Sequence, residues 1–241
     1  MYRRALAALR TAQIPFAVGG AYALGVHSGI HRETKDLDIF TVPRRAREVL
    51  ALFSSLGFPS QLVARHWLGK VTWEDAVIDI IFGFRNGISQ VDESWLDHAP
   101  EAPLFGMSVP IVAIEEMIWS KAFVMERHRY DGADILHLMR AGAAAMDWKR
   151  LQARFGSYWP MLLHYLVLFT FVYPALRSRV PDWLIRDLTT RWHQQGDATG
   201  PELCRGTLLS HLQYLHDVNH EGLLDARLQP FGTLTSENVD E

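Results

Sequence analysis

At 241 residues the chain is long enough for one large domain or two small ones, and a hydrophobic content of 49% supplies a core without staples. Its single cysteine, Cys204, excludes an intrachain disulfide, and 24 basic against 27 acidic residues give a formal net charge of −3, not the positive field that non-specific nucleic-acid binding relies on. The N-terminus MYRRALAALRTAQ carries charges where a signal peptide needs an apolar run, and the most apolar stretch, Met161 to Tyr173, falls short of the ~20 residues of a spanning helix, so a cytoplasmic protein without a membrane partner is expected.

Tyr2, Ala5, Leu6 and Leu9 recur at helical spacing, and Pro15 is followed by the apolar run Phe16-Ala17-Val18 ending at Gly19-Gly20. This predicts helix, strand and tight turn. Ala21 to His27 suits a short helix opening on that turn, Ser28 to Thr34 is polar, and Leu37 to Thr41 reads as the next strand. Pro43 sits where a first helical residue would, and Ala46, Val49, Leu50 and Phe53 form one face of a helix that stops at Gly57. Gln61 to Ala64, Gly69 to Trp73 and Ala76 to Phe82 look like antiparallel strands, with Glu74-Asp75 as a turn between the last two.

After a loop holding Pro100, Pro103 and Pro110 the character changes. Ile114, Met117, Ile118, Ala122 and Met125 keep a helical period, which places a domain change near residue 113. Beyond it, Trp148 to Tyr158, Met161 to Leu176, Trp183 to His193 and Leu203 to His216 are helix candidates, the second reading as a buried core helix. The polar tail from Gly232 to Glu241 is expected to fray.

The chemistry concentrates in three acids. Residues two apart on a strand point to one side, so Asp36 and Asp38 present their carboxylates together while Leu37 and Ile39 turn to the core. Asp79 is the only charge in Val77-Ile78-Asp79-Ile80-Ile81-Phe82, where an unpaired charge would be costly. Two carboxylates about 4 Å apart repel by roughly 4 kcal/mol at an effective dielectric near 20, so such a cluster calls for a cation, and magnesium suits hard oxygen ligands. The Gly19-Gly20 turn between strand and helix can bring backbone N–H groups and a positive helix end up to a phosphate.

The stretch Val18-Gly19-Gly20-Ala21 through His31-Arg32-Glu33-Thr34-Lys35-Asp36-Leu37-Asp38-Ile39-Phe40 resembles the signature of polymerase-beta-like nucleotidyltransferases. It is similar, more narrowly, to the bacterial branch that includes abortive-infection toxin enzymes and small antibiotic nucleotidyltransferases. The resemblance implies that the glycine turn, Gly19 and Gly20, holds the nucleoside triphosphate; Arg32, which directly precedes the metal strand, is placed to neutralise a phosphate, and Thr34 is a further nucleotide-binding candidate. The resemblance also implies that Asp36 and Asp38 bind Mg2+ in a two-metal site that Asp79 completes. Many members have Gly-Ser where this chain has Gly19-Gly20, which removes a hydroxyl contact to phosphate.

Lys121 falls on the apolar face of Ile114, Met117, Ile118, Ala122 and Met125, where it must snorkel, pair or reach a ligand. The resemblance implies a helix opening with an acid pair such as Glu115-Glu116 and carrying a lysine directed at the nucleotide phosphates. Asp131 and Asp134 share a helix face and form a second cluster. Two accounts of it stand: an element near the active site, as Arg127-x-x-Tyr130-Asp131-x-x-Asp134-Ile135 suggests by resemblance, or a structural network with Arg127 or Lys121.

The expected fold class is therefore α+β. Residues 1–112 form a nucleotidyltransferase domain with a small mixed sheet and flanking helices, and residues 113–241 a helical domain closing a nucleotide cleft. The expected activity is transfer of a nucleoside monophosphate from a triphosphate such as ATP to an acceptor hydroxyl on a small molecule, a protein or a tRNA end. An antibiotic-modifying enzyme, which needs an acidic pocket for a cationic drug, is the alternative enzyme. A non-catalytic nucleotide-binding or antitoxin-like module is the alternative of another class.

Overall fold

Ala5 and Leu6 lie about one turn before Leu9 on α1 (Tyr2–Thr11), and all three are wholly buried, as their spacing predicts. The chain then forms β1 (Ala17–Val18), α2 (Gly20–Ser28), β2 (Asp36–Phe40), α3 (Pro43–Ser55), β3 (Ser60–Ala64), β4 (Leu68–Trp73) and β5 (Ala76–Ile81). The computed structural model describes residues 1–197 and 200–241 and divides into two compact units, Met1–Ala113 with Asp225–Glu241, and Ile114–Leu224. The chain is thus α+β, with the sheet in the first unit.

That sheet has five strands in the order β1-β2-β5-β4-β3. β2 and β5 run parallel, with Asp38 opposite Asp79, and the other pairs are antiparallel, so the sheet is mixed. Leu37, Ile39, Ile78, Ile80 and Val71 are fully buried on one face. α3 packs there through Val49, Leu50 and Phe53, and Gly69 makes room for it, because a Cβ at that residue would stand 3.0 Å from the Leu50 side chain. The alternate residues, Asp36, Asp38, Asp79 and Lys70, are only partly buried and occupy the opposite face.

After β5 come α4 (Glu93–Asp97), capped by the Asp92 carboxylate on the Ser94 N–H, and the hairpin β6 (Glu101–Leu104) and β7 (Met107–Pro110). The tail departs from its expected fraying. Leu234 is 1% exposed against Gly87, Thr233 Oγ1 donates to the Gly87 carbonyl at 2.6 Å, and Glu241 accepts the Arg65 N–H at 2.8 Å. Its polar composition conceals one well-placed leucine and several backbone partners.

The second unit is helical: α5 (Ile114–Lys121), α6 (Gly132–Gly142), α7 (Trp148–Phe155), α8 (Trp159–Val172), α9 (Asp182–Gln194) and α10 (Leu215–Asn219). The buried acids Glu115 and Glu116 open α5 and are answered by Arg150 and Arg154 of α7, with Arg150 Nη1 2.5 Å from Glu116 Oε1 and Arg154 Nε at 3.2 Å. Buried acids so paired avoid the several kcal/mol that an isolated charge would cost.

Trp148–Val172 is long and apolar enough to cross a membrane by length and composition, and Gly156, with φ +48°, marks a short 3-10 turn between α7 and α8. α8 buries Leu162, Leu163, Tyr165, Leu166 and Phe169, but Val167 and Phe171 are 60% and 80% exposed, so it is a core helix on one side only. The helix expected over Leu203 to His216 is replaced by a 3-10 turn at Gly206–Leu208 and irregular chain leading into α10. Glu126 explains the departure. Its carboxylate takes the Ser210 hydroxyl at 2.6 Å and the His211 N–H at 2.9 Å, diverting a donor that a helix would use internally.

Candidate active site

The Gly19-Gly20 turn connects β1 to α2, and each glycine answers a different neighbour. A Cβ on Gly19 would stand 2.2 Å from Cε2 of Phe40, the last residue of β2. One on Gly20 would stand 1.7 Å from Oδ2 of Asp38, and Gly20 itself has φ +57°, in the left-handed region that L side chains avoid. The Gly19 N–H donates to the Asp38 carbonyl at 2.9 Å. The turn is thus fastened to the strand that carries the acids. The first N–H groups of α2, which a helix leaves without carbonyl partners, are the ones suited to an anion.

Asp36 and Asp38 share a face of β2, and Asp79 of β5 is the direct pairing partner of Asp38. Parallel strands lie about 4.8 Å apart, which sets those two backbones side by side. Thr34 Oγ1 donates to Asp36 Oδ1, orienting that carboxylate from the preceding loop. Arg32 is exposed in the same loop.

Asp79 has a partner that the sequence reading overlooked. Lys70 lies opposite it on β4, and Lys70 Nζ is 3.3 Å from Asp79 Oδ1, paired by charge though not aligned as a hydrogen bond. Burial pushes the Asp79 carboxyl above the ordinary carboxylate range, and Lys70 offsets part of that rise. The signal was present in the sequence: a two-residue turn at Glu74-Asp75 sets Trp73 against Ala76, and counting outward sets Lys70 against Asp79.

Among the described residues no three His, Cys, Asp or Glu side chains converge as a metal cluster. The donors of Asp36 and Asp38 nevertheless suit a hard cation: carboxylate oxygens on one strand face, partly exposed, with the carboxylate of Asp38 lying where Gly20 leaves room for it.

Two tyrosines border this face. Tyr22 of α2 and Tyr2 of α1 meet Phe105 with ring centroids 5.1 and 5.6 Å away. Burial, then Tyr22 and more weakly Asp36 and Asp38, push the Tyr2 phenol above its usual range, placing it within the field of the acids. Tyr2 also lines a cavity of about 430 Å³ with Thr34, Lys35, Trp73, Glu74 and Asp75.

Lys121, by contrast, is engaged inside the second unit. Its Nζ lies 2.9 Å from Asp131 Oδ2 and 2.9 Å from Asp134 Oδ2, all three side chains being largely buried. Arg129 also reaches Asp131, at 3.1 Å. Of the two accounts of this cluster, the structural network describes the geometry.

Comparison with known structures finds ANT(2″)-Ia, described as an antibiotic-resistance factor, 21% identical over 68% of this chain and 94% of that one, with a TM-score of 0.47. Its complex with adenylyl-2″-tobramycin is 20% identical over 66% and 96%, also at 0.47. The lincosamide antibiotic adenylyltransferase LnuA, in its lincomycin-bound form, is 16% identical over 57% and 93%, at 0.42. Comparison with curated proteins finds no match. The family model for aminoglycoside-2″-adenylyltransferase matches residues 2–146, which include the glycine turn, Asp36, Asp38, Asp79 and Lys121. This chain therefore belongs to the aminoglycoside-2″-adenylyltransferase family and is a nucleotidyltransferase.

Proposed function

We propose that the chain transfers AMP from ATP to a hydroxyl of a small, cationic amino-sugar acceptor of the aminoglycoside class. The observation that carries this reading is the pairing of Asp38 with Asp79 beneath the Gly19-Gly20 turn, in a chain of this family. The acceptor oxygen bonds to the α-phosphorus, the bond to pyrophosphate breaks, and the hydroxyl proton passes to the Asp79 carboxylate. A carboxyl whose proton affinity is raised by burial is better suited to that task than an ordinary one.

Asp36 and Asp38 are the residues that would hold Mg2+, which when bound supplies charge stabilisation for the transferring and leaving oxygens. The α2 N-terminus, opened by Gly20, would face the phosphates, with Arg32 and Thr34 on the adjoining loop. Support for a cationic acceptor comes from the family to which the chain belongs.

The test incubates the protein with ATP, Mg2+ and a panel of aminoglycosides with and without a 2″-hydroxyl, with a lincosamide as a control acceptor. Mass spectrometry should find an adenylylated product and pyrophosphate with aminoglycosides alone. Adenylylation of protein or tRNA from a lysate, with none of the sugars modified, would overturn the acceptor class while leaving the transferase intact.

A further inference from the structure

α8 differs from the other helices named in the second unit in carrying no Asp, Glu, Lys or Arg. Apolar residues all round a helix are the mark of one enclosed on every side. For α8 the enclosure is half complete. Leu162, Leu163, Tyr165, Leu166 and Phe169 are buried, while His164, Val167 and Phe171 line the opposite side, with Val167 60% and Phe171 80% exposed. The exposed residues Val172, Pro174 and Ala175 carry the apolar surface past the end of the helix. Thr170 donates its hydroxyl to the Val167 carbonyl at 2.9 Å, so that group is satisfied within the helix. The patch lies outside residues 2–146, the part of the chain that the family model matches.

The chemistry of the patch narrows what covers it. A charged partner would find no opposite charge on α8 to recognise. A bilayer suits it poorly: α8 has 14 residues where a span needs about 20, its inner side belongs to the core of the unit, and it lacks the Lys and Arg residues by which interfacial helices hold to lipid headgroups. A second copy of the same face meets none of these objections, because an uncharged surface does not repel itself. His164 and Phe171 lie seven residues, or about two helical turns, apart and on either side of Val167. Two α8 helices crossing antiparallel near Val167 therefore set each Phe171 ring against the second copy's His164, with their macrodipoles opposed. Burial holds the His164 imidazole below its usual range, which favours the neutral ring that such a contact needs. Area agrees as well. With Phe171 80% exposed and the valines, Pro174 and Ala175 around it, the patch comes to about 500 Å2, so a pair of copies buries about 1,000 Å2, the lower bound for a specific interface.

We propose that the outer face of α8 is a self-association surface, on which a second copy of this chain packs its own α8 antiparallel across a two-fold axis near Val167.

Sedimentation equilibrium of the full chain should show monomer and dimer in exchange, with a Kd on the order of 10 µM for an interface of this size. Phe171→Asp should weaken association by at least about thirtyfold, since each interface would then bury two unpaired carboxylates, while melting stays level because the side chain is exposed in the monomer. Phe231→Asp, at an exposed aromatic of the first unit, should leave association unchanged. Val167→Cys should form an intermolecular disulfide under mild oxidation, because a two-fold axis brings that position against itself while the native Cys204 stays buried. This arm stands even if Phe171→Asp fails to fold. A chain that remains monomeric up to roughly ten times that Kd would overturn the proposal, as would a dimer that persists in Phe171→Asp or fails to cross-link through Val167→Cys. Co-sedimentation of a monomeric chain with phosphatidylcholine and phosphatidylglycerol vesicles, lost in Phe171→Asp, would assign the face to lipid and overturn it too.

Discussion

Gly20 and Asp38 are fitted to each other: Asp38 Oδ2 occupies the space that a side chain on Gly20 would fill, with the built Cβ only 1.7 Å away. The glycine turn is therefore a steric condition on the acid as well as a route to phosphate. Gly20→Ala adds a methyl group at a φ of +57°, which costs about 1–3 kcal/mol in backbone strain and forces the carboxylate to move. Transfer activity should fall by far more than the stability loss explains, as seen by comparing melting with turnover. Retained activity would show that Asp38 does not depend on this contact.

Asp36→Asn and Asp38→Asn should each abolish transfer in a protein that still folds. Each removes one of two like charges on the same strand face, so folding stability without metal should stay level or rise by about 1 kcal/mol. Chemical denaturation in the presence of a chelator, beside a product assay, checks both halves. Full turnover in either variant would remove that acid from the site.

How much of this was open to reading from the chain depends on the range of the interaction. The Asp36 and Asp38 pair follows from the period of a strand, and Asp79 from the cost of a lone charge in an apolar run. The helical period set by Ile114, Met117, Ile118, Ala122 and Met125 survives as α5 only as far as Lys121, and Met125 lies in a short strand. Gly19 shows the limit: the Gly-Gly pair reads as one phosphate turn, but only folding brings Phe40 against Gly19 and Asp38 against Gly20. The segment Leu203 to His216 escapes a periodicity argument because Glu126, remote in sequence, captures the His211 N–H. The tail is missed for the same reason, since Gly87 and Arg65 are its partners.

Two acids should bend the pH dependence of stability in opposite directions. Asp131 is pushed up by burial, but the Arg129 hydrogen bond and the Lys121 charge more than offset this and hold its carboxyl below the ordinary range. A depressed carboxyl contributes stability that is present above its unfolded value of about 3.9 and is lost as pH falls through the lower folded value. Asp79 is raised, so its contribution is present below about 3.9 and is lost as pH rises through the folded value. Melting profiles from pH 3 to 7, in roughly half-unit steps, should therefore show a shallower acid decline in Asp131→Asn than in the parent chain. Asp79→Asn should show a steeper one, its stability relative to the parent increasing with pH. The same slope change in both variants would contradict the opposed environments.

Lys121 supplies the sharpest test of what the second unit contributes. The family resemblance directs a lysine at this point of the helix toward phosphates, whereas the structure engages its ammonium with Asp131 and Asp134, each at 2.9 Å. Lys121→Met keeps the straight apolar stem on the face it shares with Ile118, so packing is conserved and the charge alone is lost. Asp131 retains Arg129, but that guanidinium is 63% exposed, while the Asp134 side chain is 7% exposed and loses the ammonium beside it. Breaking a buried pair from one side costs about 3–5 kcal/mol, and a value near the lower end is expected because Arg129 still holds one of the two acids. Triphosphate affinity, measured by calorimetry at a temperature where the variant remains folded, should be unchanged within experimental error. If affinity instead drops by about 1.5–3 kcal/mol, the range for a lost charged hydrogen bond, while melting stays put, Lys121 leaves its acids for the nucleotide and the ion pair is only its resting position.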